Sequence, residues 1–160
     1  MPKSDQRTIK PRKDGAEAVE AAVALCRVRG AQITPLREAV LTVLWSATGP
    51  IGAYELRDTL SEQLARKISA STIYRTLDFL CDYGVVSRIE SRNAYVACEH
   101  PQHDHACILF VCDDCGTSSE IENERLQGLL TADAETLGFT IGKRVVELSG
   151  SCAECREAAR

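Results

Sequence analysis

Two CxxC turns set far apart in the chain, Cys112-x-x-Cys115 and Cys152-x-x-Cys155, restrict its fold more than any other feature. Each is a tight turn offering two thiolates, and a tetrahedral zinc needs four, so the two pairs suit one closed structural site. Upstream, Cys98 and the segment from His100 to His105, HPQHDH, form a separate cluster of sulfur and nitrogen donors that contains all 3 histidines of the chain. The pattern reads as one closed site beside one adjustable site. Eight cysteines could instead signal disulfides in a secreted protein. No apolar run resembles a signal peptide or a membrane span, so metal ligation in a reducing cytoplasm is the expectation.

The net charge of −4 over 160 residues hides an asymmetry. Residues 1–97 carry 14 Lys/Arg against 11 Asp/Glu, a balance of +3, and residues 98–160 carry 5 against 12, a balance of −7. The two halves sum to −4. A front half that is mildly basic and a back half that is acidic suggest a nucleic-acid module joined to something else.

Residues 1–14 read as a flexible basic arm able to add phosphate contacts. From Gly15 to Arg29 the apolar positions follow helical spacing and stop at Gly30. Cys26 on that face is expected in the core, as is Cys81 further on. Thr34-Pro35 starts a second helix running to about Ala47. A third covers about Ala53 to Ala65 on a Leu56, Leu60, Leu64 stripe. A fourth runs from about Ser71 to Tyr83, burying Ile73, Leu77, Leu80 and Cys81, with Ser71, Arg75, Asp78 and Asp82 opposite. After Gly84 the period changes to two, and 85–90 with 94–96 read as a hairpin around Ser91-Arg92-Asn93. Helices followed by such a hairpin make a winged helix-turn-helix.

The rest predicts strands over 108–111 and 117–121 and a helix over 124–137 on Leu126, Leu129, Leu130 and Leu137. Residues 139–141 and 144–148 supply one more strand or a bent pair, and a short polar tail follows Cys155. This α+β half is too small for much core and calls for a zinc staple or a dimer partner. The expected division is a basic arm (1–14), a winged-helix domain (15–97), the donor-rich segment (98–107) and the small α+β half (108–160), which the resemblance described next casts as DNA-binding domain, metal-binding hinge and dimerisation domain.

Three stretches together resemble the ferric uptake regulator family of metal-sensing repressors, and within it the zinc-sensing branch: Ser71-Thr72-Ile73-Tyr74-Arg75-Thr76-Leu77, His103-Asp104-His105, and the paired CxxC turns. The resemblance spans nearly the whole chain after the arm. It implies a homodimer, with N-terminal winged-helix domains that bind double-stranded operator DNA and C-terminal dimerisation domains. Metal in the hinge would hold the DNA-competent shape. By the same resemblance Cys112, Cys115, Cys152 and Cys155 match the structural zinc site, and Cys98, His105 and Glu120 match regulatory ligands. Tyr74 and Arg75 match DNA contacts of the recognition helix, Ser71 and Thr72 at its start are expected to bind DNA with them, and Tyr54 matches a backbone-contacting tyrosine.

One position departs. Where similar zinc regulators have a histidine in the first wing strand, this chain has Ser87, a poor zinc ligand. The fourth donor then comes from elsewhere, with His103 the first choice, His100 the second, and Glu90 or water as alternatives.

Thiolate is a soft donor that favours zinc over iron or manganese, so Cys98 points to zinc. With no histidine before residue 100 or after 105, no further histidine-based site can be built, and two zinc ions per protomer are expected. A regulator of iron or manganese, or a zinc-ribbon adaptor that binds no DNA, are the competing readings. A zinc deaminase needs HxE before PCxxC, and neither is present. A thioredoxin-like dithiol is disfavoured by Asp113 and Asp114 between the thiols of the first pair.

Overall fold

The computed structural model describes residues 15–99, 101, 108–141 and 145–159. His100, His103 and His105, the arm and most of the expected hinge lie outside them. Three helices come first: α1 (Gly15–Val28), α2 (Pro35–Ser46) and, after a two-residue strand β1 (Ile51–Gly52), α3 (Ala53–Gln63). The start of α2 is fixed by Thr34, whose side chain accepts from the Arg37 N–H, and by Pro35 behind it. Helix α4 (Ala70–Asp82) is capped by Ser69, whose hydroxyl accepts from the Thr72 N–H at 3.2 Å.

Strands β2 (Val86–Ile89) and β3 (Ala94–Ala97) form the wing around a 3-10 turn at Glu90–Arg92. Asn93 closes that turn at φ 47°, a left-handed conformation that asparagine tolerates. The short β1, absent from the sequence expectation, pairs with β3 to give the sheet order β1-β3-β2. Two residues carry too little period to be seen in sequence. The α4 stripe is buried as expected at Ile73, Leu77 and Leu80, with Thr76 added. Cys26 is in the core, whereas Cys81 only packs against its edge. Leu64 is exposed, because α3 ends before the stripe reaches it.

The second sheet has the order β5-β4-β6, built from β4 (Ile108–Cys112), β5 (Ser118–Ile121) and β6 (Val146–Gly150), with helix α5 (Glu124–Thr136) between β5 and β6. Residues 139–141 form no strand, so of the two alternatives the single strand holds, beginning at Val146. The polar tail is also more ordered than expected: α6 (Ala153–Ala158) begins one residue after Cys152. No residue of α5 is buried, and Leu129 and Leu137 of the expected stripe are exposed. Among the described residues, no helix is long and apolar enough to cross a membrane.

The wing is covered on both sides. Val86, Tyr95 and Ala97 belong to the helical core, while Ile89 and Val96, from the other face of the hairpin, form a small buried cluster with Leu109 and Val111 of β4. The wing therefore forms the middle layer between the helices and the second sheet. Leu77, fully buried in α4, is a direct probe of the helical core. Leu77→Ala should lower unfolding free energy by about 2–5 kcal/mol in a denaturant titration, the usual cost of a core Leu-to-Ala cavity. A loss below about 1 kcal/mol would show that α4 does not pack as described.

Candidate metal centres and DNA-reading face

Parallel pairing of β4 with β6 assembles the four-cysteine cluster. The register sets Cys112 opposite Gly150, two residues before Cys152, so both CxxC turns emerge at the same sheet end. The first turn is tight: Gly116 donates to the Cys112 carbonyl at 3.0 Å and adopts φ 77°. The four Sγ atoms lie within 4.8 Å of one another, and Cys115 and Cys152 are 3.8 Å apart. Four sulfurs at about 2.3 Å from a tetrahedral zinc stand about 3.8 Å apart, so the cluster fits that ion.

Its electrostatics point the same way. Backbone N–H groups of Cys115 and then Cys152 turned onto its sulfur lower the Cys112 thiol to about 6. Hydrogen bonding to the Cys152 and Cys115 side chains pushes the Cys155 thiol up instead. Four thiols this close cannot all ionise without a cation among them.

The second centre lies where the wing meets the second sheet. Cys98 follows β3 directly, is buried, and its backbone N–H is held by the Val85 carbonyl at 3.0 Å. Its Sγ is 3.3 Å from Oε1 of Glu120 on β5, and the Glu99 N–H reaches the other oxygen of that carboxylate at 3.4 Å. Two residues that the sequence separates by 22 positions thus converge on one point. Thiol and carboxylate together form half of a mixed donor set that fits zinc. Ser87 occurs on the same hairpin face, paired in register with Val96. Glu90 is exposed in the wing turn and ion-paired with Arg88 at 3.2 Å.

The exposed face of α4 carries the residues expected to read DNA. Ser71 and Arg75 are exposed, with Thr72 and Tyr74 half-buried. Tyr54, 59% exposed on α3, meets the Tyr74 ring edge-on at 6.3 Å, so the two tyrosines and Arg75 form one surface. Arg57 extends that surface, 5.2 Å from the Tyr54 ring.

Sequence reasoning missed the long-range polar contacts, some of which join the halves. Arg29 at the end of α1 donates to the Tyr83 carbonyl closing α4 at 2.6 Å and to the Pro101 carbonyl at 3.0 Å. Arg92 in the wing turn donates to the Cys112 carbonyl at 2.7 Å. Glu147 on β6 accepts from the wing turn. No local pattern could have shown these, since the partners of Arg29 and Arg92 are between 20 and 72 residues away.

Residues 28–149 match the model of the ferric uptake regulator family. The zinc uptake regulation protein of Escherichia coli (strain K12) is 36% identical over 142 residues, covering 88% of this chain and 82% of that one. A solved zinc uptake regulator complexed with zinc and DNA superimposes with a TM-score of 0.85 at 34% identity, covering 92% of this chain and 98% of the other. The holo form of XcZur superimposes at 0.80 over 88% of this chain and 98% of its own. Its apo form, at the same 37% identity and nearly the same coverage (89% and 98%), reaches only 0.51. This chain thus superimposes better on the holo than on the apo form. By sequence match and by fold together, the chain belongs to the ferric uptake regulator family.

Proposed function

We propose that this protein is a zinc-responsive transcriptional repressor that binds operator DNA as a zinc-loaded homodimer and controls genes of zinc uptake. The observation that carries the reading is the meeting of Cys98 with Glu120 across the boundary between wing and second sheet. A thiol in the adjustable site selects against iron and manganese, which prefer nitrogen and oxygen donors. Exposed Arg75 beside half-buried Tyr74, and the likeness to a zinc regulator solved on DNA, favour a repressor over a zinc-ribbon adaptor. The proposed role is regulatory and not enzymatic, and its place of action is the cytoplasm.

In this reading Cys112, Cys115, Cys152 and Cys155 hold a structural zinc, and Cys98, His103, His105 and Glu120 hold the regulatory one. That makes two ions per protomer. Residues 15–97 read DNA through Tyr54, Ser71, Thr72, Tyr74 and Arg75, with 1–14 adding phosphate contacts. Residues 98–107 form the hinge and 108–160 the dimerisation domain. Apolar surface that the single chain leaves open supports the homodimer. Phe110 and Leu148, opposite each other in the β4/β6 register, are 44% and 45% exposed, and Leu129, Leu137 and Phe139 are more so. Apolar surface of this extent marks a protein interface.

Zinc in the regulatory site supplies a crosslink between the wing and the second sheet. Cys98 contributes from the wing side and Glu120 from the sheet side, so their shared point fixes the angle between recognition helix and dimer axis. A metal that binds the closed arrangement better shifts the population toward it by that difference in affinity. Two recognition helices held at a fixed angle match a near-palindromic operator with half-sites about one helical turn apart.

Cys98→Ser tests the assignment. The variant should remain a folded dimer with its structural zinc, lose one zinc per protomer by metal analysis, and lose most zinc-dependent operator binding in a mobility-shift titration. Retention of wild-type zinc dependence would reduce Cys98 to packing. Cys112→Ser removes a ligand of the closed site, where zinc binding contributes about 10 kcal/mol to folding. It should leave a monomeric or aggregating protein, whereas a stable dimer with full zinc content refutes the structural role. Arg75→Ala should abolish preference for operator over random DNA while zinc content and dimerisation persist, since one bidentate guanine contact is worth about 1–3 kcal/mol. An unchanged footprint would exclude α4 as the reader.

A further inference from the structure

The β5-β4-β6 register places Glu120, Leu109 and Glu147 in one row, because Leu109 is opposite Glu120 on one side and Glu147 on the other. Residues paired in this way project from the same face of a sheet. All three meet the wing. Glu120 reaches Cys98 at the end of β3, and Leu109 joins the cluster with Ile89 and Val96. Glu147 takes the other end of the hairpin. Its Oε2 accepts the Glu90 N–H at 3.0 Å and the Ser91 N–H at 3.4 Å, and its Oε1 accepts the Ser91 hydroxyl. Beside it, Arg92 donates to the Cys112 carbonyl at 2.7 Å and approaches Asp113 at 3.4 Å.

One row of the second sheet therefore grips the wing at two points. The Glu120 end coincides with the regulatory donors, and the Glu147 end contains none of them; Arg92 beside it reaches only the backbone carbonyl of Cys112, a residue of the closed site. The hydrogen bonds there involve a full negative charge meeting backbone N–H groups, the stronger class of such bonds. They exist only while the wing lies on the sheet, so they contribute to closure and to nothing else in either half.

Resting on the reading of the chain as a zinc-responsive repressor, we propose that Glu147, supported by Arg92, is a metal-independent clasp that sets the zinc concentration at which the protein engages DNA. The physical ground is linkage. A ligand that binds only a fraction of the population shows an affinity reduced by that fraction. The clasp raises the closed fraction before regulatory zinc binds, so it lowers the zinc needed for closure. Glu147 is a positioning residue in this scheme: it touches neither metal nor DNA.

The test is a zinc titration of the full-length dimer under a buffered chelator, read by operator binding and by amide exchange of the segment containing Glu90 and Ser91. Glu147→Ala should shift half-maximal operator binding to about tenfold more zinc, within the usual span of coupling between sites. Zinc content and operator affinity at saturating zinc should match the wild type. The Glu90 and Ser91 amides, protected in the zinc-loaded wild type, should exchange faster in the zinc-loaded variant. Glu147→Gln keeps an acceptor oxygen without the charge and should fall between the two.

If Glu147→Ala does not fold as a dimer, Ser91→Ala and Arg92→Ala carry the same test from the wing side, with smaller shifts in the same direction. An unchanged zinc midpoint beside a zinc-responsive wild type overturns the clasp alone. Loss of a zinc ion, or weak operator binding even at saturating zinc, overturns it too, by making Glu147 a ligand or a DNA-face residue. A wild-type chain with no zinc-dependent operator binding overturns the functional reading and the clasp together.

Discussion

The packing of the wing between two layers is the constraint on which the rest of this molecule depends. A hairpin usually has one face in a core and one in water. Here Val86, Tyr95 and Ala97 fill the helical core while Ile89 and Val96 pack on Leu109 and Val111. That second contact is small. Among the described residues, four buried apolar side chains and a few polar bonds join two halves, each with its own sheet. Such an interface is well suited to opening, because little must be lost. It is also suited to control, because the donor pair Cys98 and Glu120 lies at its edge.

The closed site plays the opposite part. β4 and β6 run parallel and side by side, which their connection through α5 allows, and they deliver both CxxC turns to one end. The second half buries no residue of α5 in the single chain, so a staple across its strand ends compensates for a thin core. The staple also adjoins the wing: the carbonyl that Arg92 grips is that of Cys112, a residue of the cluster. The four-cysteine cluster and the wing boundary thus meet at one strand end.

Much of this was legible in sequence because it is local or strongly patterned. Thr34-Pro35 announced α2, the stripe of Ile73, Leu77 and Leu80 announced α4, and the change from helical period to alternation after Gly84 announced the wing. The two CxxC turns announced their own proximity, since thiolates in that spacing have one common use in a reducing compartment. What remained hidden was of two kinds. Elements too short for a period, β1 and α6, are fixed by neighbours: β1 by pairing with β3, and α6 by Cys152, which accepts from the Cys155 N–H at its start. Contacts between distant segments, such as Glu147 with the wing turn, follow from sheet register, which no linear pattern encodes. The α5 stripe was misleading for a further reason: its leucines suggested a core, yet Leu129 and Leu137 are exposed in the single chain.

The central claim is that metal at the wing boundary fixes the angle between the recognition helix and the second sheet. The most direct measurement is the distance between the two α4 helices of a dimer, by pulsed electron resonance with a non-natural spin-labelled residue in place of exposed Asp78. With zinc bound in both sites, one narrow distance is predicted. With only the regulatory zinc removed by a mild chelator, the distribution should broaden while the dimer persists. The same narrow distance in both states would contradict the claim, because the halves would then hold their angle without the metal.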